Sequence, residues 1–181
     1  MKKSKNNNQL FKIVLTSLLI AMNVVLEKLL NLQKTFELDI SFGFIAVAFA
    51  AVFLGTPYAA AVGGLGDLIG TLLFSMGLGY FPGFTATNCI YGMVLAEFLY
   101  RKTSVIKIVL AVIINKITCT LLLNTLWISL MYSDKGYLPL LITRLPQAAI
   151  MTVVEIVVLI LLFSNKSKIR TTLDKSLKKF I

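Results

Sequence analysis

Apolar residues in this chain fall into six long runs, separated by short polar or glycine- and proline-marked breaks. The runs cover Gln9–Leu32, Ile40–Gly55, Pro57–Leu78, Gly83–Tyr100, Ser104–Met131 and Leu138–Phe163. None alternates as a half-buried strand would, and most approach the roughly 20 apolar residues that carry a helix across hydrocarbon. Inside a bilayer the backbone must satisfy its own polar groups, which leaves helices for runs of this kind. The expected fold is therefore all-α, an integral membrane bundle of six transmembrane helices. It forms a single domain over residues 1–181 with basic ends near 1–8 and 165–181. Pro57 and Pro139 sit where helices begin, a position proline favours, and Gly55 and Gly136 sit in turns. Pro146 lies inside the sixth run and is expected to kink or open it. Beyond Asn165 the weakly amphipathic tail is expected on the membrane surface.

Composition sharpens this picture. The chain is 57% hydrophobic and 14% charged, with a mean hydropathy of +0.86, whereas a soluble domain carries about 25% charged residues. The net charge of +10 could suggest nucleic acid, but the basic residues form no face. They gather beside the ends of apolar runs, the positive-inside pattern. Lys2, Lys3, Lys5, Lys12, Arg101, Lys102, Lys107, Lys166, Lys168, Arg170, Lys175, Lys178 and Lys179 all fall on one side, thirteen of the 18. Both termini are accordingly expected in the cytoplasm of a multi-pass protein of the cell membrane, with no nucleic-acid partner. The basic ends can also contact anionic lipid. The first run imitates a signal peptide but lacks a small-residue cleavage site, so it reads as a retained helix.

The candidate chemistry is sparse. The chain has no histidine, the commonest general base and metal ligand. Cys89 and Cys119 lie in apolar runs without CxxC spacing and read as free thiols. There is no GxxxxGK[ST] loop for ATP phosphates, and no paired carboxylates or nucleophile–base spacing. The expectation is a protein that is not an enzyme and takes no metal or cofactor. Of the eight acids, only Asp67 and Glu155 lie well inside runs. Asp67 sits in Gly63-Gly64-Leu65-Gly66-Asp67, where glycines allow close helix approach. It either bonds a neighbouring helix, with Lys116 as a candidate partner, or serves a ligand or coupling role. Glu155 reads as structural or as facing a partner.

Polar and aromatic residues from several helices collect at a similar depth in the expected outer half. They include Glu27, Lys28, Asn31, Ser41, Phe42, Tyr80, Phe81, Phe84, Thr85, Thr87, Asn88, Asn124, Trp127, Arg144 and Gln147. Aromatic rings with a few convergent polar groups suit a planar organic ligand, and an interfacial aromatic belt is the competing reading. Arg144 lies inside a span, where its planar fork could hold a ligand carboxylate or pair with Glu27. On the first helix Ser17, Ala21 and Val25 recur at four-residue spacing, a face for close helix contact or for ordinary packing within the bundle.

Several of these blocks together resemble a known family. Ile40-Ser41-Phe42-Gly43-Phe44-Ile45, Gly64-Leu65-Gly66-Asp67-Leu68-Ile69-Gly70, Tyr80-Phe81-Pro82-Gly83-Phe84-Thr85 and Ile90-Tyr91-Gly92 are similar to the folate family of substrate-binding S components of energy-coupling factor (ECF) vitamin transporters. Asn124-Thr125-Leu126-Trp127 with Arg144 downstream extends the resemblance across nearly the whole chain. It implies a bundle that captures folate or a related pterin from outside. It also implies a transmembrane coupling subunit and two ATPase subunits supplied by other chains, with the S component toppling in the membrane. By their depth along the helices, Lys28 and Arg144 would meet ligand carboxylate or carbonyl groups, Phe81, Phe84 and Trp127 would pack the ring, Asn88 and Asn124 would bond its edge, and Phe42 is a further ligand-binding candidate. Ser17, Ala21 and Val25 would contact the coupling subunit, although Val25 is larger than the alanine expected there. Glu27-Lys28 stands where serine-arginine is expected, and Leu145-Pro146-Gln147 replaces a lysine that often follows the arginine. An S component for a different vitamin or less acidic heterocycle therefore stays open, as do a small membrane enzyme and an assembly subunit.

Overall fold

The computed structural model describes residues 2–29, 41–74, 80–100, 103–131 and 136–163, with side chains from residue 9 onward. Every regular element in them is helical. Helix α1 (Lys2–Val24) continues as a wider π turn over Val25–Leu29. Helices α2 (Phe44–Phe53), α3 (Thr56–Leu73) and α4 (Pro82–Leu99) follow. Then comes one long rod, made of α5 (Val105–Asn115), a π-wound stretch (Lys116–Asn124) and α6 (Thr125–Met131). Helix α7 (Tyr137–Phe163) ends the described chain. The basic tail, residues 30–40 with Asn31 among them, Arg101 and Lys102 lie outside the described residues.

Among the described residues, three stretches are long and apolar enough to cross a membrane: Gln9–Lys28, Val105–Met131 and Tyr137–Phe163, with mean hydropathies of 1.9, 2.1 and 2.3. Helices α3 and α4 have 18 residues each, about 27 Å at 1.5 Å per residue. Their glycines, Asp67, threonines and Asn88 dilute the apolar signal. Helix α2 has only 10 residues but is wrapped by its neighbours. Phe44, Ala46, Val47, Ala48, Ala50, Ala51 and Val52 are all buried, so it forms the centre of the core rather than a wall of it.

The helix ends follow local chemistry. Gly55 joins α2 to α3 at φ 98°, a left-handed conformation open to glycine. Pro82 opens α4 at its first turn, where a missing N–H costs nothing. Ser104 caps α5 by accepting the Lys107 backbone N–H at 3.4 Å.

Glycine sets the closest crossing. A Cβ on Gly63 would run into the Asn88 carbonyl of α4, and one on Gly92 into the Ala59 carbonyl of α3. Helices α3 and α4 thus meet backbone to backbone, as small residues permit in membranes. The core continues through Val62, Leu95, Leu99, Ile108, Val112, Leu159 and Phe163. The outer surface is strongly apolar, with Leu10, Leu18, Ile106, Leu130, Ile142, Ile150 and Leu161 all exposed. So extensive an apolar exterior matches hydrocarbon rather than water.

Helix α7 is a single helix with Pro146 inside it, and a π-wound stretch lies in the middle rod. Two expectations need correction. Helix α2 starts at Phe44, four residues later than expected, because Gly43 and Phe42 form the turn that enters it. Lys116 pairs with Glu155 on α7 at 2.5 Å, not with Asp67.

Candidate ligand-binding site

The end of α1, the start of α2, the second half of α3, the start of α4, α6 and the start of α7 supply the candidate residues. The proline-glycine block that opens α4 folds Phe81 back over its own helix. Its ring stands 5.8 Å from Phe84 and 5.4 Å from Trp127 of α6, centroid to centroid. Gly83 is needed at this junction, because a Cβ there would meet Phe81 and the Trp127 indole. The indole N–H donates to Thr87 Oγ1 at 3.1 Å, and the Thr87 hydroxyl donates to the Gly83 carbonyl at 2.9 Å. Three rings from two helices are therefore locked together by one hydroxyl. Such tilted and edge-on pairs add about 0.5–1.5 kcal/mol each beyond burial.

Beside them lies a charged group. Lys28 Nζ sits 2.8 Å from Glu27 Oε1 and 4.0 Å from Asp67 Oδ1. The Thr85 hydroxyl donates to Asp67 Oδ2 at 2.7 Å. Gly70 admits the Lys28 stem, since a Cβ there would meet its methylenes. Asp67 is therefore wired to α1 and α4. Nearby, Asn23 donates from Nδ2 to the Gly43 carbonyl at 3.0 Å and ties α1 to the entry of α2.

Arg144 is 5% exposed. It lies on the stripe Leu140, Arg144, Ala148, Met151, Glu155, Leu159 that α7 turns inward, so it faces the bundle and not lipid. Asn124 closes the π-wound stretch, and its Oδ1 is buried without a hydrogen-bond partner among the described residues. Asn88 is half-buried, its carbonyl pressed on Gly63. The Phe42 ring lies 6.4 Å from that of Phe44, tilted by 40°, and packs on the core cluster.

The structure thus brings Phe81, Phe84 and Trp127 into contact and joins Lys28 to Asp67. Thr85 and Thr87 belong to the outer polar set expected from the sequence, without a role of their own there, whereas Asn23 was not anticipated. The signal was present as polar residues within otherwise apolar runs. Ser17, Ala21 and Val25 all lie exposed on α1, and the Ser17 hydroxyl turns back to the Ile13 carbonyl at 3.0 Å, leaving a smooth strip. Among the described residues no cluster of His, Cys, Asp or Glu could hold a metal.

Thr87→Val is expected to strand the Trp127 indole N–H, cost about 1 kcal/mol and shift tryptophan emission to the red. Unchanged emission and melting temperature would show that the hydroxyl does not hold the ring.

An apolar helical bundle with an aromatic cluster, a buried guanidinium and an interior ion-paired lysine at one end defines a membrane protein built to bind a small solute. The family model described as ECF transporter, substrate-specific component, matches residues 11–163, and the chain belongs to that family. As an S component it is the substrate-capture subunit of a transporter, not an enzyme. It is 33% identical over 142 residues to the folate transporter FolT of Clostridium novyi (strain NT), covering 78% of this chain and 81% of that protein. It is 27% identical over 165 residues to the folate transporter FolT of Leuconostoc mesenteroides, covering 88% of each. A solved structure described as FolT bound with folic acid superposes with a TM-score of 0.74 at 30% identity, over 81% of this chain and 88% of that one.

Proposed function

We propose that the chain captures folate, or a related pterin vitamin, from outside the cell and passes it inward with a coupling subunit and two ATPase subunits. In this reading six helices span the bilayer and both termini are cytoplasmic, an orientation that the distribution of basic residues supports. The observation that carries it is the Phe81–Phe84–Trp127 cluster with Arg144 buried at the same end, in a chain similar to a protein crystallised with folic acid.

The rings of Phe81, Phe84 and Trp127 would hold the flat pterin, with Phe42 as a further ligand-binding ring. Asn88 and the buried Asn124 Oδ1 would bond its edge. Arg144 and Lys28 would meet carboxylate or carbonyl groups, the guanidinium through paired N–H donors. The exposed strip of Ser17, Ala21 and Val25 would seat the coupling subunit through close helix contact.

One observation favours a second reading, an S component for a less acidic heterocycle. Lys28 already shares its charge with Glu27 and Asp67, which weakens its pull on a ligand anion. A ligand panel measured by thermal shift in detergent separates the two. A ligand at 100 times its Kd stabilises the native state by about 2.7 kcal/mol. Folic acid is expected to raise the melting temperature more than other vitamins do. A shift with another vitamin and none with folic acid would sink the folate reading.

A further inference from the structure

The middle rod carries a group that the binding site does not use. Lys116 and Glu155 are 9% and 3% exposed and form an ion pair between the rod and α7. The Tyr91 hydroxyl of α4 donates to the other carboxylate oxygen of Glu155 at 3.2 Å. One residue before Lys116, the Asn115 amide donates to the Tyr91 carbonyl at 3.2 Å. Both residues at the junction of α5 with the π-wound stretch are therefore fixed, one to α4 and one to α4 and α7 together.

The far end of that stretch is held as well. The Tyr137 hydroxyl of α7 donates to the Leu121 carbonyl at 3.3 Å. The Thr125 side-chain hydroxyl donates to the Thr120 carbonyl at 3.2 Å. The stretch Lys116–Asn124 is itself wound as a π-helix, a form that is rare and concentrated at functional sites. Because it takes up more residues per turn, it rotates every following side chain about the rod axis. The residues whose direction it sets are Asn124, at its end, and Trp127, one turn beyond, donating to Thr87.

The geometry points to Lys116, Glu155 and Tyr91 as positioning residues for the ligand site: they hold the π winding that aims Trp127 and Asn124. They touch no ligand in this account. Their effect on folic acid rests on the function proposed above, whereas their effect on Trp127 does not.

The test uses Trp127, the single tryptophan of the chain, as reporter in the full-length protein in detergent. A variant carrying both Lys116→Met and Glu155→Gln removes the ion pair without leaving a buried charge, a replacement that is often neutral or stabilising. Its emission, without ligand, is expected to move to the red, and its affinity for folic acid to fall by roughly tenfold or more, with the melting temperature maintained. Tyr91→Phe, which removes only the hydroxyl that donates to Glu155, is expected to shift both in the same direction by less, and it decides the matter if the double variant does not fold. Emission unchanged and affinity within about twofold of the parent would make the group a stability element only and overturn the proposal. If the parent protein itself ignores folic acid, the folate reading fails, and the ligand-free emission alone judges the positioning role.

Discussion

Arg144→Ala is expected to weaken folic acid binding by roughly 10- to 100-fold, from the 1.5–3 kcal/mol of a hydrogen bond to a charged group. The guanidinium is 5% exposed on the inward stripe of α7. A cation there, away from lipid and at the end that carries the aromatic rings, is in the environment where its attraction for a carboxylate is least screened. Arg144→Lys is expected to recover only part of the loss, because a lysine ammonium lacks the flat two-pronged donor set. Isothermal titration of the purified variants would measure both, with melting temperature recorded alongside to separate lost binding from lost structure. Affinity for folic acid within about twofold of the parent in Arg144→Ala would remove Arg144 from the site.

Gly63→Val and Gly92→Val are expected to have the largest effects on the fold, each costing about 3 kcal/mol or more, the upper range for overpacking. At both positions the atom facing the missing side chain is a backbone carbonyl of the opposite helix, Asn88 for Gly63 and Ala59 for Gly92. A flexible side chain could move aside, but a carbonyl takes its helix with it. Pushing α3 from α4 also pulls Asp67 from Thr85, now 2.7 Å apart, so binding should weaken with stability. Gly64→Ala is the instructive comparison, since its obstacle is the Cys89 sulfur, a side chain that can turn. Thermal unfolding in detergent would rank the three. Equal melting temperatures for Gly63→Val and the parent would mean that the two helices do not depend on this contact.

The helical class and the centres of the helices were legible because each run satisfies one physical demand, an apolar surface on a self-bonded backbone. The aromatic end of the site was legible for a different reason. Phe81, Pro82, Gly83 and Phe84 are consecutive, so the contact between the two rings is a local matter of one helix start. The partners of Asp67 were not legible. They depend on how closely α1 approaches α3 and how closely α3 approaches α4, which Gly70 sets for Lys28 and Gly63 for α4. The sequence shows those glycines without showing what they admit. Lys116 was matched to the wrong acid for the same reason. Depth along a helix gives candidates, but the choice between Asp67 and Glu155 needs the face each one presents. The π winding was hidden more deeply still, since Lys116–Asn124 has no breaker residue. The groups bonded around it, Tyr91, Glu155 and Tyr137, are far away in sequence. Pro146, the visible breaker, lies within one continuous helix.

The central claim is that this S component takes folate or a close pterin relative. The most direct measurement is mass spectrometry of the small molecule released from protein purified out of cells supplied with mixed vitamins. The account predicts a pterin-containing vitamin of the folate class, bound one to one, and lost in Arg144→Ala. A different vitamin recovered in that amount, with folic acid unable to displace it, would contradict the account.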